Sequence, residues 1–593
     1  MADVAPAEGG SGPGPQGGRS DLDNEALLAT AANTAAPLSP EDDRRRRILL
    51  VLHGLFYLLR FPLVVVIFLS GIQFLKRVRG LLDKPLGEEV SWWISTESMS
   101  AQLDEQEPLE WCYLFGCDRR YKEEVPSEII DVDKEVRYQE ILGMGTSLEQ
   151  ATAYNMALLN ASMFESIIDS LVDPDAGLGF NLLRVCIGAS DFSPLPFYSY
   201  DDDWDPSLEH FSIRPDEKFV LPLILNTLSR ARRWSVTSSV SLGDGGDGPL
   251  VFASPWSPPG WMKSSGKLQG GTLKPEYHQA YAEYLLKFIR AYEMRGVPIY
   301  ALTLQNEPLA DDWSYPTMRV EAADEADIAR RMGPLLEKAG FKTRLWLFDH
   351  NYVDWWYPQE VLNILEAKKS IQYVDGVAFH HYKGDVSMMT RMHEAHPDKR
   401  IIFSEGSKFG IAGAVEIVKI LQNWACTYMS WVIMLDTDLQ PNSGPFVPHK
   451  PMLTLHRDTF NVDYNFEYYM YGQFSKFIRR GASRIKSETG WKNKAVSDEL
   501  PHVAFLNSVR ALGAGNAATM VLVVVNAHDE NRVVRLRYKG LTTREALLPP
   551  KSVATFRWHP PTLDASASEM LSPSLQWVAG LLIAYTALLH RWC

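Results

Sequence analysis

The sequence predicts an α/β chain: a (β/α)8 TIM barrel with an accompanying β-sandwich domain, plus N-terminal and C-terminal hydrophobic membrane segments. Three observations predict it. Through the middle of the chain, short apolar runs alternate with amphipathic stretches, the pattern of repeated βα units. Several of those runs turn polar only at their C-terminal ends, which is how such a barrel presents its chemistry. Beyond residue 477 the pattern changes to short alternating strands separated by Gly, Asn and Pro turns.

Taken in order, residues 1–43 are rich in Gly, Pro, Ala, Ser and Asp and bury too little apolar surface to offset the entropy of ordering, so a disordered tail is expected. Arg44 to Arg47 precede an apolar run over 48–75, which Arg60 and Pro62 interrupt and Lys76, Arg77 and Arg79 follow. Its length suits a membrane span, with Arg60 snorkelling, or a Pro62-kinked hairpin in one leaflet. Basic residues at both ends tilt the orientation only slightly towards a cytosolic N-terminus. A second apolar segment, 575–590, follows small and polar residues and reads as a span, a lipid-anchor signal or a short anchoring helix.

Asp23 with Leu27 and Leu28 has the spacing of an acidic dileucine sorting signal, and Asn160-Ala161-Ser162 is an acceptor for N-glycosylation. Together they favour a membrane protein whose folded part faces the lumen of the endolysosomal or secretory system, with the cell surface and the cytosolic face as alternatives.

Barrel strands are expected at 138–143, 181–188, 250–254, 299–304, 344–348, 376–379, 400–403 and 428–435, within a catalytic barrel spanning 135–476. The clearest helix is 277–295, where Tyr281, Tyr284, Leu285 and Phe288 recur on one side. Residues 477–560 supply the sandwich, and strand-like pieces in 91–134 need partners that the same sandwich provides. The net charge of −14 argues against nucleic-acid binding, which needs clustered Lys and Arg. Five cysteines are too few for a disulfide scaffold. Cys112 and Cys117 are near enough to close a small loop, whereas Cys186 and Cys426 read as buried thiols. No Cys/His spacing resembles a metal site, and the glycines of 243–248 lack the spacing of a phosphate loop, so no metal or cofactor is expected.

Two glutamates carry the chemistry, Glu307 in Leu302-Thr303-Leu304-Gln305-Asn306-Glu307-Pro308 and Glu405 in Ile401-Ile402-Phe403-Ser404-Glu405-Gly406. Each ends an expected strand. Hydrolysis of a glycosidic bond needs such a pair: one carboxyl group protonates the leaving oxygen, and the other stabilises or attacks the oxocarbenium-like carbon. Arg184, at the end of the second strand, is a cation suited to keeping Glu405 ionised and oriented. Glu307 must hold a proton and then act as base, so burial and a neighbouring negative charge are expected to raise its pKa.

Further strings fall in order along the chain: Arg184-Val185 with Asp191-Phe192-Ser193, 253–263 with Trp256 and Trp261, Asn306-Glu307-Pro308, His380 with Tyr382, Ser404-Glu405, Trp431, and Gln473-Phe474-Ser475-Lys476-Phe477-Ile478. This ordered set resembles glycoside hydrolase family 30, and within it the glucosylceramidase (acid β-glucosidase) group. The resemblance implies a barrel flanked by a β-sandwich and retention of configuration through a covalent glycosyl-enzyme. It makes Glu307 the acid/base and Glu405 the nucleophile. It assigns Asn306 to the sugar 2-OH, Asp191 and Trp256 to the outer hydroxyls, and Trp431 to the face of the ring. Tyr382 and His380 line the site near the nucleophile, and Tyr315 its rim.

The chain departs from that group after the first strand, where Gly145-Thr146-Ser147-Leu148-Glu149-Gln150 replaces a glycine followed by a Thr-Asp pair, at Val432 in place of asparagine, and over 437–446. The function expected is a retaining β-glucosidase hydrolysing glucosylceramide or a related glucosylated lipid at a membrane surface, with a lipid-presenting activator protein as partner. The alternatives are an exo-β-glycosidase for a galactoside, xyloside or β-1,6-glucan, and, in another class, a non-catalytic membrane receptor or scaffold.

Overall fold

The computed structural model describes residues 41, 44–52, 54, 89–113, 125–235, 248–446, 450–489, 500–508 and 517–560. The chain divides into two units, Met1–Leu81 and Leu82–Cys593. In the first, residues 44–52 are helical, and Ile48 to Leu52 are exposed. Among the described residues no helix is long and apolar enough to cross a membrane. This corrects the expected fold class: its terminal membrane segments have no support. A span needs about 20 consecutive apolar residues, whereas the described helical stretch is shorter and opens on four arginines. Residues 55–75 and 575–590, the expected disordered tail over 1–40, the sorting motif and the glycines 243–247 lie outside the described residues.

The second unit is built on eight parallel strands: Gly143–Ser147, Leu182–Ile187, Leu250–Pro255, Ile299–Thr303, Arg344–Asn351, Val374–His380, Arg400–Glu405 and Thr427–Ser430. Each pairs with the next through the seventh, and the eighth pairs with the first. The ring closes where the amides of Cys426 and Trp431 donate to Ile401 O and Gly406 O, both at 2.9 Å. Helices between the strands cover the outside, so both strand faces are buried and the sequence runs are almost continuously apolar.

Alternation along each strand decides what points inward. In the second strand, Leu183, Val185 and Ile187 join the cluster shared with the helices, and Leu182 joins an inner cluster with Leu250, Phe252, Ala301, Trp346, Ala378 and Ile402. By the two-residue period Arg184 and Cys186 also face the barrel interior, nearer its C-terminal mouth.

The first strand lies five residues later than expected, because Tyr138 belongs to the preceding strand Ser127–Glu140 of the β domain. Gly143 and Gly145 hid it. A Cβ on Gly145 would fall 1.7 Å from Leu182 O, so the second strand lies against bare backbone there.

The β domain is one ten-stranded sheet, running through Leu541–Thr543, Gln102–Tyr113, Glu89–Thr96, Ser552–Trp558, Thr519–Asn526, His502–Asn507, Ser483–Thr489, Ser127–Glu140, Arg532–Tyr538 and Ala546–Leu548. Leu541–Thr543 also pairs with Arg532–Tyr538, so the sheet closes on itself. Its interior is filled by Trp92, Trp111, Val524, Phe556 and Trp558.

The helix Phe466–Ser475 joins the two domains. Gln473 donates to Ser95 Oγ at 2.8 Å and accepts from Thr555 Oγ1 at 2.7 Å, both on β-domain strands. Cys186 and Cys426 are buried free thiols, and Cys112 is disulfide-bonded, with Cys117 outside the described residues. Asn160 is exposed and caps the helix Ala161–Val172, accepting from Met163 N at 3.0 Å.

Candidate active site

The site sits at the C-terminal ends of the strands. Arg184 is fully buried and points across the barrel axis. Its Nη1 pairs with Glu405, its Nη2 donates to Asn306 Oδ1 at 2.7 Å and to Asp349 Oδ2 at 3.0 Å, and its Nε donates to Ser254 Oγ at 3.2 Å. One guanidinium thereby ties together the ends of the second, third, fourth, fifth and seventh strands. Its planar fork of donors suits such a junction better than the point charge of a lysine.

Asp349 is the second hub, and sequence reasoning missed it. Its Oδ2 lies 2.8 Å from the hydroxyls of Ser254 and Thr303, and its Oδ1 accepts from Ser404 Oγ at 2.5 Å and His380 Nε2 at 2.9 Å. Burial works against this carboxylate, but Arg184 and His380 outweigh it and hold the group well below the usual range. The fifth strand reaches this position irregularly. Phe348 and Asp349 both have positive φ, 74° and 60°, and the pairing with the sixth strand slips between Phe348 and His350. The buried carboxylate of Glu325 accepts the Phe348 amide at 2.8 Å and props the bulge.

Glu307 and Glu405 face each other across His380. One oxygen from each carboxylate and a ring nitrogen of His380 all lie within 4.8 Å of one another. His380 Nδ1 is 3.3 Å from Glu307 Oε1 and 3.8 Å from Glu405 Oε1. Burial disfavours the charged ring, yet Glu405, Asp349 and Glu307 together push its pKa up to about 10.

The environment of Glu307 differs from expectation. Burial raises its pKa, but the hydrogen bond from His380 and the neighbouring His350 and His380 more than offset that, and the carboxyl is held below the ordinary glutamate value. No sequence pattern showed that two histidines converge on it. Glu307 also has φ of 50°, with its amide donating to Asp349 O at 3.0 Å. That strained turn swings the carboxyl into the cavity.

The pH dependence follows from these directions. A group that must donate a proton is loaded only below its pKa, so activity depending on protonated Glu307 fades from a low pH upward. In His380→Gln the opposing burial remains and the histidine's contribution is gone. The alkaline limb of kcat/KM is expected to move to higher pH. A limb that stays in place in a pH-rate profile of that variant would refute the assignment.

Of the other residues named from sequence, Tyr382 donates its hydroxyl to Glu405 Oε1 at 2.7 Å. Trp256 and Trp431 stack with centroids 5.3 Å apart, and Arg184 Cζ lies 4.9 Å and 5.7 Å from their ring centroids. Asp191, Tyr315, Asn306 and both glutamates line the same cavity of about 820 Å³. Burial, with the charges of Glu405 and Glu307, pushes the Asp191 carboxyl up to about 8. All ten residues are therefore brought to one mouth. His350, Asn351, Asp354, Trp356 and Lys383 also line it and had no signal of their own in the sequence. His381 turns away and accepts from Ser407 N at 2.9 Å.

The departures divide. Glu149 caps the helix Gln150–Met156 through Thr152 N at 3.1 Å, and Gln150 donates to Gly188 O at 2.7 Å. Neither lines the cavity, whereas Val432 and Phe446 do.

Two facing carboxylates at a barrel mouth are the equipment that glycoside hydrolysis requires. The family model for the glycosyl hydrolase family 30 TIM-barrel domain matches residues 141–478, and the chain belongs to glycoside hydrolase family 30. It is 31% identical to an endo-1,6-beta-D-glucanase of Neurospora crassa over 72% of this chain and 87% of that protein. It is 27% identical to the lysosomal acid glucosylceramidase of Mus musculus, over 72% and 83%. Among solved structures, the endo-beta1,6-glucanase BT3312 superposes with a TM-score of 0.66 at 24% identity, covering 79% of this chain and 99% of that one, which shows the shared fold.

Proposed function

We propose that the chain is a retaining β-glycosidase acting on β-linked glucose, with β-1,6-linked glucan as substrate ahead of glucosylceramide. The observation that carries the reaction type is the approach of Glu307 and Glu405 oxygens to within 4.8 Å. Retaining enzymes need carboxyl groups about 5–5.5 Å apart, and inverting ones about 6.5–9.5 Å to admit a water between them. Glu405 attacks the anomeric carbon as Glu307 gives its proton to the departing oxygen. Glu307 then takes a proton from water, which attacks the same carbon and frees Glu405.

Asn306 serves the sugar 2-OH. With its Oδ1 engaged by Arg184, its Nδ2 is left as the donor. Asp191 and Trp256 serve the outer hydroxyls, Trp431 backs the ring, Tyr382 and His380 hold the carboxylates, and Tyr315 forms part of the rim. The order of substrates is supported by relatives named endo-1,6-beta-D-glucanases at 30–31% identity, against 27% for the mouse glucosylceramidase. Glucosylceramide stays as the second reading on the strength of that enzyme's likeness. A lipid-presenting activator and a membrane surface belong to that reading alone, and the endolysosomal lumen is the compartment it favours.

A mechanism-based cyclophellitol-type β-glucoside probe is expected to label Glu405, located by peptide mapping. Proton NMR of the first-formed sugar is expected to show the β anomer. An α product, or an unlabelled Glu405 in turning-over enzyme, contradicts the mechanism. Parallel assays on β-1,6-glucan and on micellar glucosylceramide decide between the substrates.

A further inference from the structure

The loop 437–446, one of the stretches where the chain departs from the glucosylceramidases, is tied down along its length. It follows the short strand Met434–Asp436, which pairs with Leu453–Leu455 and through it with Val462–Tyr464. The buried carboxylate of Asp436 accepts from Asp438 N at 2.9 Å and Gln440 N at 2.8 Å, and it pairs with Arg457, whose Nη2 donates to Asn155 Oδ1 at 3.1 Å. Asn155, buried in the helix Gln150–Met156, donates from Nδ2 to Gln440 O at 3.0 Å. Asn442 closes the second half: its Nδ2 donates to Phe446 O at 2.8 Å, and its Oδ1 accepts from Gly444 N at 3.0 Å. A loop whose turns hang on buried side chains has its shape before substrate arrives.

What this loop grips is Asp191. Ser443 N donates to Asp191 O at 2.8 Å, and Ser443 Oγ donates to Ser193 O at 2.8 Å. Gly444 lies directly against the Asp191 side chain: a Cβ on Gly444 would fall 2.7 Å from Asp191 Cβ and 3.5 Å from its Oδ2. The first of these is closer than two carbon atoms can pack, so any larger residue at 444 displaces Asp191. The Asp191 carboxyl accepts from backbone amides, its own and that of Phe192. The path of the backbone there, which Ser443 holds, therefore decides where the carboxyl points.

We infer that Ser443 and Gly444 are the positioning residues of Asp191: they set the reach of its carboxyl group, and with it which outer hydroxyl of the sugar that carboxyl meets. The inference rests on the proposed function, in which Asp191 serves the outer hydroxyls, and adds what fixes it there. Asp191 lines the cavity and the two residues behind it do not. They act on the substrate through Asp191 alone, and the sugar preference of the enzyme is written partly in a loop that never touches the sugar.

The test measures kcat/KM on an aryl β-glucoside and on its 3-, 4- and 6-deoxy analogues. In Gly444→Ala the added methyl group displaces Asp191, and the loss on the intact glucoside is expected to be about 5- to 20-fold, the size of one misplaced hydrogen bond to a carboxyl group. On an analogue lacking a hydroxyl that Asp191 meets, the loss shrinks to under about twofold, because the partner is already gone. A change that merely loosened the fold lowers all four substrates alike. Asn442→Ala, which releases Gly444 N and Phe446 O without adding bulk, is expected to show the same pattern at smaller size, and it carries the test if Gly444→Ala does not fold. In an Asp191→Ala background, Gly444→Ala costs nothing further. Equal losses on all four substrates, or kcat/KM unchanged in both Gly444→Ala and Asn442→Ala, overturn the inference. Asp191→Ala with wild-type kcat/KM removes Asp191 from the outer hydroxyls and overturns the inference with it. Wild-type enzyme that turns over none of the four substrates removes the β-glycosidase reading itself.

Discussion

Glu405→Gln is expected to lower kcat on an aryl β-glucoside by about four to six orders of magnitude. The amide has the shape of the carboxylate but neither its charge nor its nucleophilic oxygen. Arg184 keeps Asp349, Asn306 and Ser254 as partners, so the guanidinium is not stranded. The folded state is expected to persist, with thermal unfolding shifted by a few degrees. His380 loses the largest of the charges that raise its pKa, and that value falls below about 10. A variant retaining more than about one hundredth of wild-type activity would remove Glu405 from the role of nucleophile.

The second large effect is at Asp349. Asp349→Asn places an NH2 group either against Arg184 Nη2 and the hydroxyls of Ser254 and Thr303 or against His380 Nε2 and Ser404, because both carboxylate oxygens accept from donors. Two buried cations also lose a counter-charge. Removing one partner of a buried ionic network costs about 3–5 kcal/mol, read from urea unfolding at neutral pH, and a cost under about 1 kcal/mol would refute the hub.

The pH dependence has a definite sign. Asp349 titrates lower in the folded state than in the unfolded chain, so its contribution is present above the ordinary aspartate pKa and disappears only as pH falls through the depressed folded value. His380 titrates higher when folded, so its contribution is complete below its ordinary value of 6.5 and is lost as pH climbs to about 10. The variant lacks the first and weakens the second. Its deficit is therefore largest between mildly acidic and neutral pH, and narrows in strong acid and in strong alkali.

What the sequence conveyed follows from which features have a local signature. Glu307 and Glu405 follow apolar runs, and strand-end polarity is visible without coordinates, whereas Arg184 stands out as the one charge inside the second strand, Leu182–Ile187, rather than at its end. Asp349 ends such a run too, after Leu345-Trp346-Leu347-Phe348, but the bulge that turns it inward breaks the two-residue period, and periodicity alone carries no sign of a bulge. Ser254, Thr303 and Ser404 are ordinary strand residues by composition, and their role exists only because three strands converge. The first strand was displaced because Gly143 and Gly145 have no strand propensity. The lowered pKa of Glu307 was unreadable for a similar reason. His350 and His380 come from different strands, and their approach to one carboxyl group is a product of closure. Apolar length suggested membrane segments, yet among the described residues no helix meets that need.

The sheet that unites both flanks of the barrel constrains how the molecule comes into being. Ser127–Glu140 pairs with Ser483–Thr489 and Arg532–Tyr538, which leave the ribosome only after the whole barrel has been made. Until then a long strand emerging early in synthesis waits without its native neighbours, a template for wrong pairing with other chains. Expression that slows the last hundred residues, or shortens them by a few strands, should therefore yield aggregate rather than a smaller working enzyme.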